Sequence, residues 1–276
     1  MRRLILMLLI LASLSACAIV QTPQIARIAL LAPFEGRYRE IGYSAIYPAR
    51  LALKEAGITH VELVAVDDGG TLKTAQERAR ALLLDESIKA VMILGYDSAD
   101  SLVQESFGDM PMIIIGEWAT QPINDHVFML TNSQIPDLLS QSGRIDINDA
   151  SNVDVPFVGG EIFGLVSYTE LRPNLDDIQV ITSGMLPPTD FVERLIASDI
   201  YVPVPNHLSL GVYDITNMLV QLIIDPTMTR QMVTEALRAV DYEGAIGRIR
   251  FDESGYWTDA PLYTYIYENN KLIITP

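Results

Sequence analysis

The stretch Arg27-Ile28-Ala29-Leu30-Leu31-Ala32 decides how this chain is read. All of it but Arg27 is apolar, with none of the alternation that a half-wetted strand shows. An unbroken apolar run of this length suits a strand buried on both faces, as in a parallel sheet. The pattern returns as Val61-Glu62-Leu63-Val64-Ala65-Val66, Ala90-Val91-Met92-Ile93-Leu94 and Met112-Ile113-Ile114-Ile115. Between these runs, segments 44–56, 74–84 and 98–107 space their apolar residues as helices do. In the middle segment Ala75, Ala79, Leu82 and Leu83 share a face, while Glu77, Arg78 and Arg80 lie mostly off it. Alternating strands and helices predict an α/β layer with right-handed crossovers.

Beyond Pro122 the pattern loosens. Segment 127–131 suits a fifth strand, and 132–154 is polar and irregular. Segments 155–160 and 178–182 read as short strands. Pro187-Pro188 breaks the chain before a helix at 190–197, and longer helical patterns follow at 209–224 and 229–240. The end reads as strands at 246–251, 262–267 and 271–275, with Asp252-Glu253-Ser254-Gly255 and Asn269-Asn270 as turns.

The N-terminus carries a different signal. Met1-Arg2-Arg3 precedes an apolar run over 4–14, and Leu14-Ser15-Ala16-Cys17 follows. Positive charge, a short apolar core and small residues at a cleavage point make a secretory leader. The run falls short of the ~20 residues a spanning helix needs. Leu-Ser-Ala-Cys resembles the lipobox of bacterial lipoproteins, which implies that residues 1–16 are removed and Cys17 is acylated. Residues 17–24, with Pro23, then form a tether. The expected location is extracytoplasmic, with the chain anchored to the bacterial cell membrane by lipid on Cys17. Cys17 is the only cysteine, so no disulfide supports the fold. The formal charge of −16 argues against nucleic acid, which needs clustered Lys and Arg.

Ligands of open parallel sheets bind beyond the carboxyl ends of the strands. Three loops leave that edge: Pro33-Phe34-Glu35-Gly36-Arg37-Tyr38, Gly95-Tyr96-Asp97-Ser98 and Gly116-Glu117-Trp118-Ala119-Thr120. Ser98 stands at a helix start, where free amides suit an anion; capping alone also explains it. Trp118 fits either an aromatic wall of a small-molecule site or packing between lobes. Asp67-Asp68 reads as turn capping. Catalytic signatures are absent. Gly69-Gly70-Thr71-Leu72-Lys73-Thr74 fails the phosphate-loop spacing. His60, His126 and His207 have no metal-ligand spacing, and Asp146-Ile147-Asn148-Asp149-Ala150 is a poor start to a calcium loop. No cofactor and no metal are expected.

These loops resemble the type I periplasmic solute-binding proteins of ABC importers, specifically the branched-chain amino-acid and amide group. The resemblance rests on the strand and glycines around Gly36 and Gly42, and on Val66-Asp67-Asp68 with Thr74-Ala75. It rests further on Val158-Gly159-Gly160-Glu161 and on Gly211-Val212-Tyr213-Asp214. Its most specific part is Tyr242-Glu243-Gly244-Ala245-Ile246-Gly247-Arg248-Ile249-Arg250-Phe251-Asp252-Glu253-Ser254-Gly255. It implies two α/β lobes closing by hinge motion. The first lobe is expected at 25–122 and 205–244, the second at 123–204 and 245–276. It also implies a ligand carboxylate held by Ser98 and Thr120 beside Trp118, and a ligand ammonium held by Glu161. The second lobe is expected to be reduced, since 132–155 is too short for the family's further βα units. Gly116 and Glu117 depart from the usual Ser-Pro-like start of their loop.

The function implied is a non-catalytic, monomeric receptor delivering an amino acid or similar small polar solute to the membrane subunits of an ABC importer. An alternative follows from Leu30-Leu31-Ala32-Pro33-Phe34-Glu35-Gly36-Arg37-Tyr38, which also resembles lipoprotein activators of peptidoglycan synthases. Those use the same kind of domain for protein contact. A hydrolase of envelope polymers would need paired carboxylates across a cleft, and the sequence places no such pair.

Overall fold

The computed structural model describes residues 24–140, 157–171, 175 and 178–275. Residues 1–16, read from sequence as a leader, Cys17 and the Asp146–Ala150 segment lie outside the described residues. The apolar runs form a five-stranded sheet: β1 (Ala26–Ala32), β2 (Val61–Asp67), β3 (Ile88–Ile93), β4 (Met112–Ile115) and β5 (Val127–Leu130). Its order is β2-β1-β3-β4-β5, with every neighbouring pair parallel. β1 and β3 to β5 are buried almost throughout, and β2 is a more exposed edge. Helices α1 (Arg39–Ala56), α2 (Leu72–Leu83), α3 (Tyr96–Ala99) and α4 (Ser101–Ser106) follow the strands.

The first helix begins at Arg39, well before the expected 44. Its opening turn is pinned to the strand exit: the Gly42 N–H donates to the Pro33 carbonyl at 3.1 Å. A Cβ on Gly42 would lie 2.3 Å from that oxygen, so only glycine lets the helix sit there. The expected helix over 98–107 is two short pieces. Asp100 leaves helical geometry (φ −55°, ψ 145°) and its carboxylate accepts from the Leu102 N–H at 2.9 Å. An aspartate that caps the second piece ends the first.

The second sheet contains β6 (Phe157–Gly159), β7 (Ile178–Thr182), β10 (Tyr263–Glu268) and β11 (Lys271–Ile274), in the order β11-β10-β7-β6. β6 and β7 run parallel, and β10 is antiparallel to both of its neighbours. The β10–β11 hairpin turns through Asn269 and Asn270, both at positive φ, as a tight hairpin loop requires. A small hairpin, β8 (Tyr242–Gly244) with β9 (Gly247–Ile249), stands apart. The remaining helices are α5 (Ile135–Leu139), α6 (Val166–Leu171), α7 (Thr189–Ser198), α8 (Ser209–Leu222) and α9 (Arg230–Arg238). α5 is a short helix inside the segment read as irregular.

Helix α8 packs on α1 and so returns to the first lobe. Two boundaries lie later in the chain than the sequence reading expects, and the third, after β7, lies earlier. β5 closes the first sheet, although 123–204 was assigned to the second lobe. The chain around Gly255 and Trp257 also bonds the first sheet, through Met129 on β5, although 245–276 was assigned to the second. Both differences have one cause: an edge strand with open carbonyls and amides recruits whatever extended segment passes it. α7 likewise packs against α1, and its Arg194 binds Glu55 there at 2.7 Å.

Three crossings join the lobes: after β5, after β7 and after Trp257. They are laced together at one point. The Ser183 hydroxyl accepts from the Asn132 N–H at 2.7 Å and donates to the Pro261 carbonyl at 2.9 Å. The Asn132 side chain donates to the Ala260 carbonyl at 2.7 Å.

The most specific sequence motifs meet in space. Asp214 on α8 is 1% exposed and accepts from the Ile246 N–H at 2.7 Å and from the Ala245 amide. Gly244 leaves it room, because a Cβ there would come within 2.5 Å of the carboxylate. Burial raises the Asp214 pKa above the usual aspartate value. Asp214→Ala leaves the buried Ile246 amide without an acceptor, at ~1–3 kcal/mol, and frees the exposed Ala245 amide to water. The melting temperature is expected to fall by several degrees. Asp214→Asn keeps an acceptor and sheds the desolvated charge, so its melting point at pH 7 should lie well above that of the alanine variant. Scanning calorimetry of the two variants checks the order.

Candidate functional site

A cavity of about 650 Å³ opens between the lobes, at the carboxyl ends of β3 and β4. The first lobe contributes Tyr96, Asp100, Glu117, Trp118 and Thr120; the second contributes Gly160 and Phe163; and Tyr256 and Leu139 come from the crossings. The β4 exit loop forms its floor. Gly116 has φ +92°, and the chain then turns through Ala119 at φ +55°. Gln104, fully buried, fixes this loop by donating to the Thr120 hydroxyl at 2.9 Å and to the Gln121 carbonyl at 3.2 Å. Trp118 is 2% exposed. Its indole N–H donates to the Ile115 carbonyl at 2.7 Å, and its ring meets Tyr96 edge-on at 5.4 Å. Phe163 is held from the other side. Its ring lies where a Cβ on Gly159 would come within 2.2 Å, which explains a glycine in the Gly159-Gly160-Glu161 motif.

The structure brings Trp118 and Thr120 into this cavity and leaves Ser98 and Glu161 out of it. Ser98 is fully buried, and its hydroxyl donates to Asp68 at 2.9 Å. Asp68 also accepts from the Gly70 N–H, so the pair braces the β2 exit and has no free donor for a ligand carboxylate. Asp67 accepts from the Phe34, Glu35 and Gly69 amides, as turn capping predicts. Glu161 is also fully buried, beneath the cavity. Thr182 donates to it at 2.9 Å, the Glu117 N–H donates to it at 3.0 Å, and His207 Nε2 lies 2.7 Å away. Protein groups therefore occupy the carboxylate that the resemblance assigns to a ligand ammonium.

Sequence reading missed Glu117 as a site residue. Its side chain is 3% exposed; one oxygen accepts from the Ala119 N–H at 2.8 Å, and Oε2 is buried without a hydrogen-bond partner among the described residues. Burial, reinforced by the nearby Glu161 carboxylate, raises its pKa from the usual 4.5 to about 7, against the lowering effect of the Ala119 and Thr120 amides. The available signal was the acid standing at the β4 exit, where the resembling proteins start with a Ser-Pro-like pair. Among the described residues no group of three or more histidines and acids has the geometry to hold a metal ion.

The Glu117 shift has a definite sign. Between pH 4.5 and about 7 the folded state holds a proton that the unfolded state has released, so folding stability falls as pH rises through that window. Above it the full penalty persists, on the order of 3 kcal/mol. Glu117→Gln removes the penalty and is expected to melt several degrees above the parent at pH 8, with the gain vanishing near pH 4.5. Thermal unfolding of both proteins across that range checks it.

No family model matches the chain, and no curated protein does. Solved structures match along most of its length. The branched-chain amino acid transporter substrate-binding protein LivJ from Streptococcus pneumoniae, in complex with isoleucine, aligns over 91% of this chain and 100% of its own. The TM-score is 0.67 at 13% identity. The leucine-binding protein LivK from Thermotoga maritima covers 91% of this chain and 98% of its own, with TM-score 0.70 and 15% identity. A possible leucine/isoleucine/valine-binding protein from Rhodopirellula baltica covers 94% and 98%, with TM-score 0.70 and 12% identity. With two α/β lobes, a parallel first sheet flanked by helices, three laced crossings and a cleft between the lobes, the chain has the fold of the type I periplasmic substrate-binding proteins.

Proposed function

We propose that this protein is a non-catalytic, extracytoplasmic receptor that captures a small polar solute in the inter-lobe cavity and presents it to an ABC importer. The observation that carries this reading is the cavity itself. It lies at the strand ends of an α/β sheet, where such folds bind ligands, and its volume is in the range of small-molecule sites. Walls from both lobes mean that closure would enclose a solute. The Leu-Ser-Ala-Cys segment supports a lipid tether at Cys17, and the solved structures of this fold that bind isoleucine or leucine support an amino acid or a related compound as the solute.

One set of contacts favours the alternative, an envelope lipoprotein acting on a protein partner such as a peptidoglycan synthase. Glu40 on α1 accepts from the Val166 and Ser167 amides of the second lobe, both at 2.7 Å, and the Glu117 N–H reaches Glu161. These bonds hold the lobes together through protein groups alone, as a fixed contact surface would require.

Isothermal titration of residues 18–276 with amino acids, amides, amines and short peptides separates the two readings. A receptor binds at least one class with micromolar or better affinity, and Trp118→Ala weakens that binding at least tenfold. A cooperatively folded protein that binds none of them overturns the receptor reading.

A further inference from the structure

The cavity has a chemical character that its fold does not dictate. Its described lining contains two carboxylates, Asp100 and Glu117, and four aromatic rings, Tyr96, Trp118, Phe163 and Tyr256; it contains no Lys, Arg or His. An amino-acid zwitterion needs donors for its carboxylate as well as an acceptor for its ammonium. The expected donor Ser98 is committed to Asp68, and the Thr120 hydroxyl, which accepts from Gln104, keeps only its single hydrogen to set against the two carboxylates of the lining. The Glu117 carboxylate keeps one buried oxygen without a partner, which is costly in an empty site and useful to a cation. Aromatic faces attract cations through their quadrupoles.

From this lining we infer that the solute is an organic cation, an amine with an apolar body and no carboxylate, whose charged nitrogen is neutralised by Glu117 among the rings of Tyr96, Trp118 and Tyr256. The inference rests on the receptor reading and narrows it. Glu161 does not compete for the ligand charge, since Thr182, His207 and the Glu117 N–H already surround it.

Three probes that share an isobutyl group test the charge rule directly: isoamylamine (cation), leucine (zwitterion) and isovalerate (anion). Each is titrated into residues 18–276 by calorimetry at pH 8. Isoamylamine is expected to bind at least tenfold more tightly than leucine, and isovalerate not at all. Its affinity should weaken as pH falls through about 7, because Glu117 then takes up a proton; the groups facing it are Glu161 and Tyr256, and Asp100 shares the cavity. Glu117→Gln keeps the loop's acceptor and the side-chain volume, and it should lower isoamylamine affinity at least tenfold while the protein still melts cooperatively. Equal or tighter binding of leucine or isovalerate overturns the cation inference and leaves the receptor reading standing. Isoamylamine binding unchanged in Glu117→Gln overturns the role of Glu117. Binding of none of the three, with other solutes also failing, overturns both readings.

Discussion

Much of this molecule is arranged around one buried carboxylate, Glu161. An ion removed from water costs several kcal/mol unless it is paired and hydrogen-bonded. Here the partners come from three parts of the chain. Thr182 is the last residue of β7, the Glu117 amide belongs to the β4 exit, and His207 sits just before α8. The Thr182 hydroxyl in turn accepts from the Gly184 N–H at 2.8 Å, which extends the network to the crossing. The surrounding glycines follow from the same demand. Gly116 passes over Glu161 where a Cβ would lie 3.1 Å from its oxygen, and Gly164 and Gly184 make room for the His207 ring and carbonyl. The lobe–lobe geometry thus depends on satisfying a charge that lies beneath the cavity.

That arrangement bears on how the cavity works. With Glu161 enclosed, the described lining of the cavity keeps its neighbour in space, Glu117, together with Asp100. The two glutamates have opposite environments. Glu161 is surrounded by donors, while Glu117 has one amide-bound oxygen and one bare oxygen. Burial, with a smaller contribution from the nearby Glu161 carboxylate, then raises the proton affinity of Glu117.

Strands and turns of both lobes were legible in the sequence where their cues are local. The 178–182 and 112–115 strands fall where the apolar runs place them, and the Asn269-Asn270 turn is where the hairpin folds. The break at Asp100 carried a readable signal, an aspartate followed by serine at a helix start, and helical spacing alone concealed it. The site was less legible. Ser98 has the right residue type at the right helix, yet its hydroxyl points to Asp68, thirty residues earlier on another strand's exit. Thr120 and Trp118 reached the cavity because their loop leaves the sheet at the ligand edge.

What the sequence by itself determined is the alternation of buried strands and helices, and hence an α/β fold, since apolar periodicity is written residue by residue. It also carried the acidic balance and the single cysteine. Tertiary structure alone decided which polar side chains are spent and which are free. Glu161 and Glu117 are both acids beside glycine in sequence, and only the fold shows that Thr182 and the Glu117 amide donate to one, with His207 close by, and that an oxygen of the other is left bare. Hydrogen-bond satisfaction is a property of atoms brought together from remote parts of the chain, and no local pattern records it.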